Sequence, residues 1–304
     1  MRKTFLRAAV SLALIIWIVR GTGLREVWAA YRTADVRFIL LAIALIPLGY
    51  LSSVMRWRLL LRAQGGDAAL PFLFRSLMTG IFFNNFLPST IGGDAIRAWD
   101  TARSGVGKAT ALTIILVDRF VGLLALLLFA AVGLLGAGRL AERVPDLALW
   151  VLGVGAVMVA LAVVLFRPRS PHPRLTTALF IFRGKGRALA YAFFWSLCLQ
   201  TLVVVNAWIL ARALHVELGL APFFLIVPLA VFLMMVPVSI NGIGVRENLF
   251  VCFLAAFGVA EATGLAFAWL DYGLVLFQAL AGGLVYAAGR ERGVRAVTAA
   301  EAAP

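Results

Sequence analysis

Residues 109–136, ATALTIILVDRFVGLLALLLFAAVGLLG, form an apolar run long enough to cross a bilayer. A spanning helix needs about 20 such residues. Similar runs cover 5–19, 38–55, 147–166, 188–211 and 262–288, and shorter ones cover 221–236 and 249–257. In lipid, backbone groups find partners only within a helix or a closed barrel. The short alternating strands of a barrel are not visible. The fold class that follows is all-α and polytopic. Composition agrees: 63% of the 304 residues are hydrophobic and 14% charged, against roughly 45–50% and about 25% in soluble domains.

The formal net charge is +14. In a soluble protein this would suggest nucleic acid. Here the arginines cluster at helix ends, where they set orientation and attract anionic headgroups. No nucleic-acid partner is expected. Cys198, Cys252, His172 and His215 are scattered, so neither a metal site nor a disulfide framework follows. The N-terminal MRKTFLRAAVSLALIIWIV lacks a small-residue cleavage site close behind it and reads as an uncleaved first span.

Two segments break the apolar pattern. FFNNFLPSTIGGDAIRAWD, 82–100, brings asparagine, proline, glycine, aspartate and arginine together, and MMVPVSINGIGVREN, 234–248, echoes it. Aligned without a gap, LPSTIGGDAIR and VPVSINGIGVR pair Pro88 with Pro237, Ile91 with Ile240, Gly93 with Gly242, Ile96 with Val245 and Arg97 with Arg246. With small gaps, Pro71-Phe72 also pairs with Pro222-Phe223, GVGKAT (105–110) with GVAEAT (258–263), and Asp118 with Asp271. This reads as an internal repeat of about 38–136 and 189–288.

Lys/Arg asymmetry orients the chain. With Arg2, Lys3 and Arg7 inside, the clusters Arg56–Arg62, 167–187 and 290–295 also fall inside, provided the two broken segments enter and leave on one side. The expected architecture is six full spans plus two re-entrant helical hairpins. It forms one transmembrane domain, 1–290, with cytoplasmic termini and a disordered tail over 291–304. An odd number of crossings separates the repeats, which makes them inverted. Inverted repeats with broken helices are a recurrent transporter plan.

The broken segments suggest chemistry. After each glycine a half-helix can begin, and its first amides suit an anion. Gly92, Gly93, Gly242 and Gly244 supply the turns. Arg97 and Arg246, each four residues past its matched glycine, offer a planar grip on phosphate. Each segment thus reads as half of a phosphate cradle. The structural alternative is close helix packing with arginines capping helices. Asp94 and Glu247 either pair with those arginines or meet a cationic headgroup or proton. Asn84, Asn85 and Asn241 either satisfy free backbone groups or bond a headgroup. Asp118-Arg119 lies about ten residues into its span, roughly 15 Å deep, and Asp271 lies at matching depth. Charges there face protein or water, either as an ion-pair network or as a polar path. Arg56 and Arg58, flanking Trp57 at a span end, read as interfacial anchors, with Arg56 kept as a candidate contact for the headgroup.

RWRLLLRAQG, NNFLPSTIGGDAIRAW, LVDRFVGL and VPVSINGIGVRE, in this order, resemble the lysylphosphatidylglycerol synthase transmembrane, or flippase-like, family over about 40–290. The resemblance implies a lipid-translocating domain of a bacterial inner membrane. It leaves the lipid open among phospholipids, polyprenyl-phosphate glycolipids and terpenoid lipids. In two-part relatives an aminoacyl-transferase domain follows the membrane part. It is not expected here, so the chain is not read as an enzyme. The family's usual Pro-Gly-Gly-hydrophobic-Gly-Gly-Asp stands here as PSTIGGD, which changes the turn but keeps Gly92, Gly93, Asp94 and Arg97. No nucleotide-binding motif and no cofactor is indicated. The expected ligand is an anionic membrane lipid. The rival readings are a scaffold for a lipid- or glycan-modifying enzyme and an intramembrane lipid-phosphate enzyme, the latter with only Asp94 as a base.

Overall fold

The structure is a computed structural model that describes residues 24–86, 92–135, 153, 155–156, 181–182, 184–235 and 242–301. The expected span at 5–19, most of the span at 147–166 and of the 167–187 loop, and the turns at 87–91 and 236–241, with Asn241, lie outside the described residues.

Nine helices and no strands occur among the described residues. They are α1 (Leu24–Arg32), α2 (Val36–Arg62), α3 (Leu70–Phe86), α4 (Gly92–Ala102), α5 (Lys108–Leu135), α6 (Gly186–Ala213), α7 (Phe223–Met234), α8 (Val245–Ala256) and α9 (Glu261–Glu301). Four of them are long and apolar enough to cross a membrane: α2, α5, α6 and the 261–288 part of α9. These coincide, within a few residues, with four of the six spans read from sequence. The α2 helix overruns its expected end at 55 because Leu59, Leu60 and Leu61 continue its apolar face to Arg62. At its start the Asp35 carboxylate accepts from the Arg37 amide at 2.9 Å, the usual capping arrangement.

The remaining core helices are short. Helices α4, α7 and α8 have 11, 12 and 12 residues, below the length of a full crossing, and α3 has 17, at its lower limit. The order long, short, short, long therefore occurs twice, over 36–135 and 186–288. The chain is a multi-pass membrane protein built on these helices.

Packing follows the same division. One apolar core gathers Trp57, Leu60 and Leu61 of α2 with Leu73 and Leu77 of α3 and Ile114 and Val117 of α5. The other gathers Leu210 of α6, Phe223 and Ile226 of α7, Phe250 and Leu254 of α8 and Phe267 of α9. The most extensive helix pairing is between α2 and α6. Leucines on the outer faces, such as Leu40, Leu48, Leu112, Leu116, Leu280 and Leu284, are about half exposed or more. In a membrane these faces meet acyl chains.

The two halves also grip one another. A Cβ on Gly282 of α9 would lie 2.2 Å from the Met78 carbonyl oxygen of α3, and one on Gly133 of α5 would lie 2.6 Å from the Phe224 carbonyl carbon of α7. Small residues let helix backbones approach this closely. Each half's last long helix thus seats the other half's first short helix. Beyond the apolar part, α9 continues to Glu301, where composition suggested a disordered tail. The segment RERGVRAVTAAE is rich in good helix formers, and extending an existing helix avoids the cost of nucleation.

At the α2–α3 loop, Asp67 accepts from Arg62 and Arg58. Those hydrogen bonds, Arg62 first, hold its carboxyl well below the usual carboxylate range.

Candidate functional site: buried arginine–aspartate centres

The short helices carry the polar residues into the bundle. Helix α4 packs back on α3 at very close range. A Cβ on Gly93 would lie 2.2 Å from the Gly80 carbonyl oxygen and 2.7 Å from the Asn84 side chain. Only glycine fits there. The same approach lets Asn84 Oδ1 accept from the Gly93 amide at 2.8 Å. One amide of the expected anion cradle is therefore already satisfied, and Asn84 serves the backbone. Asn85 likewise donates to the Ile81 carbonyl at 3.0 Å. Gly92 opens α4.

Arg97 lies one turn further along α4 and turns inward. It is 6% exposed, and so is Arg56 of α2; Asp118 of α5 is fully buried. Arg56 grips Asp118 through two bonds, Nε to Oδ1 at 2.6 Å and Nη2 to Oδ2 at 3.1 Å. Arg97 Nη2 donates to the same Oδ2 at 3.1 Å. Arg56 Nη1 also donates to Ser196 Oγ of α6 at 2.8 Å. Arg56 is thus not an interfacial anchor: α2 turns it into the bundle, where it pairs with Asp118. Three helices meet at one carboxylate, and a fourth, α6, joins through Arg56.

Aromatic and hydroxyl groups fix Arg97. Its guanidinium stands 4.5 Å from the Trp57 ring centroid, a cation–π contact that strengthens when water is excluded. Trp57 Nε1 donates to Thr101 Oγ1 at 3.0 Å, and Thr101 donates to the Arg97 carbonyl. Gly122, one turn past Asp118, clears room for Arg56; its Cβ would lie 3.2 Å from Arg56 Nη1.

Neighbouring residues of α5 point apart by about 100°, so Arg119 leaves this cluster. It pairs with Asp94 instead, through two bonds of 2.9 Å. Asp94 keeps a looser contact of 3.9 Å to Arg97 Nη1.

The second half builds a simpler version. Gly242 and Gly244 have φ of +78° and +84°, a region that L side chains rarely adopt. Helix α8 starts there. Glu247 folds back to accept from the Gly244 amide at 2.7 Å, so it caps the helix rather than pairing with Arg246. Arg246 Nη1 donates to Asp271 of α9 at 2.9 Å, and its guanidinium stands 5.1 Å from the Tyr272 ring. Arg97–Asp118 and Arg246–Asp271 are therefore matching contacts between residues that the sequence alignment also matches. Both arginines leave a buried Nε without a hydrogen-bond partner, as does the Ser76 hydroxyl.

Sequence reasoning singled out Arg97, Asp118, Arg246 and Asp271 but missed the parts played by Trp57, Thr101 and Ser196. Gly122, at helical spacing from Asp118, was the available signal that a bulky group lies against that turn. Among the described residues there is no group of His, Cys, Asp and Glu that could hold a metal ion.

Apolar long helices, short glycine-started helices and ion pairs sunk between them define a polytopic α-helical membrane protein with polar centres inside its bundle. The chain belongs to the family described as the lysylphosphatidylglycerol synthase TM region, which matches residues 4–282. It is 24% identical over 296 residues to a UPF0104 membrane protein of Methanothermobacter thermautotrophicus, covering 84% of this chain and 86% of that one. It is 24% identical over 162 residues to a UPF0104 membrane protein of Pyrococcus horikoshii, covering 52% of this chain and 48% of that relative's length.

Proposed function

We propose that this protein moves an anionic, phosphate-bearing lipid, a phospholipid or a polyprenyl-phosphate glycolipid, between the leaflets of a bacterial inner membrane. The observation that carries the reading is the pair of buried arginines. Each sits on a short helix, each is held by an aspartate of a long helix, and each keeps an Nε–H free. Charged groups inside a membrane bundle are costly and mark pathways for ions or polar substrates. A guanidinium suits phosphate oxygens, and it can exchange a carboxylate for a phosphate with little change in geometry.

In this mechanism the headgroup phosphate engages Arg97 from one side and Arg246 from the other, while acyl chains stay in lipid along the exposed leucine faces. The two short-helix pairs act as re-entrant hairpins of inverted repeats, one facing each leaflet, with both termini cytoplasmic. Transport is driven by a gradient or by the lipid's own concentration.

The test is reconstitution in liposomes, with fluorescent anionic lipids followed by dithionite quenching. The unaltered protein should accelerate flipping of one lipid class. Losing a charge-assisted contact of about 1.5–3 kcal/mol should slow this roughly tenfold or more in Arg97→Gln and Arg246→Gln. If folded variants flip at the unaltered rate, the arginines do not hold the phosphate; if the unaltered protein accelerates the flipping of no lipid, the transport reading fails. A scaffold for a lipid- or glycan-modifying enzyme then takes its place.

A further inference from the structure

We infer that the two arginine centres are not equivalent: the ligand, an oxyanion of single negative charge such as a phosphodiester, rests at the Arg56–Arg97–Asp118 centre, and Arg246 meets it only in passage. This rests on the transport reading for its ligand chemistry, but on charge and geometry for its asymmetry.

In the first centre two guanidiniums share one carboxylate. Asp94, which pairs with Arg119, also lies 3.9 Å from Arg97, so three guanidiniums face two carboxylates. One positive charge is left over, and Arg56, Arg97 and Asp118, more than nine-tenths buried, carry it away from solvent while Arg119 is half exposed. A buried charge without a partner is unfavourable, and an anion that enters cancels it. A dianion would overshoot, and a neutral ligand would leave the charge standing. In the second centre, among the described residues, Asp271 meets Arg246 and no second cation. An anion arriving there would itself be uncompensated.

The difference is written in the sequence. The register that pairs Pro71 with Pro222 also pairs Trp57 with Trp208, and it sets Ala207 against Arg56. Ala207 is buried in the apolar core. One half therefore carries an arginine where the other carries a methyl group.

The first centre also has donors to spare. Arg97 Nε is buried and unpartnered, as Arg246 Nε is in the second centre, and the first centre adds the buried, unpartnered Ser76 Oγ. Ser76 is one turn before Gly80 on α3, and Gly80 lies against the Arg97 side chain. Both free groups offer a hydrogen to an acceptor, which is what phosphate oxygens require. Asn84 already occupies the Gly93 amide, so the guanidiniums, not the helix start, would do the holding.

The experiment is calorimetric titration of the purified full chain in neutral detergent with dihexanoyl-phosphatidylglycerol and, separately, inorganic phosphate. The lipid should bind at one equivalent per chain. Affinity should fall roughly tenfold or more in Arg56→Gln and recover in part in Arg56→Lys, which restores the charge but not the fork on Asp118. Arg62→Gln, at the exposed helix end, should bind normally. Inorganic phosphate should bind at least about tenfold more weakly than the diester. Two equivalents per chain, unchanged affinity in folded Arg56→Gln, or equal affinity for inorganic phosphate would each overturn the inference. Stoichiometry is read on the unaltered chain, so the test survives a variant that does not fold. Binding as expected without flipping would sink the transport reading and leave this one standing. Arginine-dependent flipping with two bound lipids would do the reverse.

Discussion

Asp118 has two guanidinium partners and no exposure, whereas Asp271 has one partner and a side chain a quarter exposed. Removing one member of a buried ion pair costs about 3–5 kcal/mol, because the remaining charge is left uncompensated. Asp118→Asn strands two arginines at once. It should therefore lower the thermal unfolding midpoint in detergent more than Asp271→Asn does. Equal losses would mean that the two carboxylates carry similar loads. At this scale the sequence was partly legible. Depth in an apolar run marks Asp118 as costly, and so as paired. It does not name the partner, since Arg56 lies 62 positions away and Ser196 a further 140 from Arg56. The same local reading took Arg56 for an interfacial anchor, because an arginine beside a tryptophan at a span end has that pattern whichever way the helix is rotated.

For helices, close approach decides which glycines matter. Gly93→Ala would drive a methyl group into the Gly80 carbonyl, and Gly282→Ala would drive one into that of Met78. Backbone cannot swing aside as a flexible side chain can, so the helices must part, at a cost of about 1–3 kcal/mol or more. Gly273 lies in α9 with nothing near its Cβ position, and there alanine should stabilise the helix by about 0.5–1 kcal/mol. Heating each variant and measuring the fraction that still elutes as a monodisperse species separates the two outcomes. A destabilised Gly273→Ala, or a neutral Gly93→Ala, would contradict the packing. Helix ends were less legible than helix existence. Asn84 capping α4 from a neighbouring helix, and Glu247 capping α8 from within, are choices that a string of residues leaves open. An asparagine or glutamate near a helix start can serve backbone or ligand equally well.

Across the whole molecule, the long-short-short-long order occurs twice, and each half's last helix seats the other's first short helix. If the two halves are inverted and their short pairs are re-entrant, the loops after α4 and after α6 face opposite sides. Gly107 and Gly219 lie in those loops with open space around them. In a background with Cys198 and Cys252 replaced, Gly107→Cys should react with an impermeant maleimide only from the cytoplasmic side, and Gly219→Cys only from the outside. Reaction of both from one side would break the inverted plan.

The sequence by itself determined that the chain lives in a membrane, where four of its spans fall, and which glycines, arginines and aspartates interrupt them. Hydropathy is a local property, and a polar residue at membrane depth is conspicuous against its neighbours. Tertiary structure alone decided which charges meet. It turned Arg56 inward, gave two arginines to one carboxylate in the first half and one to one in the second, and spent the Gly93 amide on Asn84. Those outcomes depend on how helices rotate and cross. That is settled by backbone contact at Gly80, Gly93, Gly133 and Gly282 between segments far apart in the chain. The charge imbalance at Arg56 was visible in the sequence as an arginine facing an alanine, but it acquires meaning only where Asp118 stands between two guanidiniums.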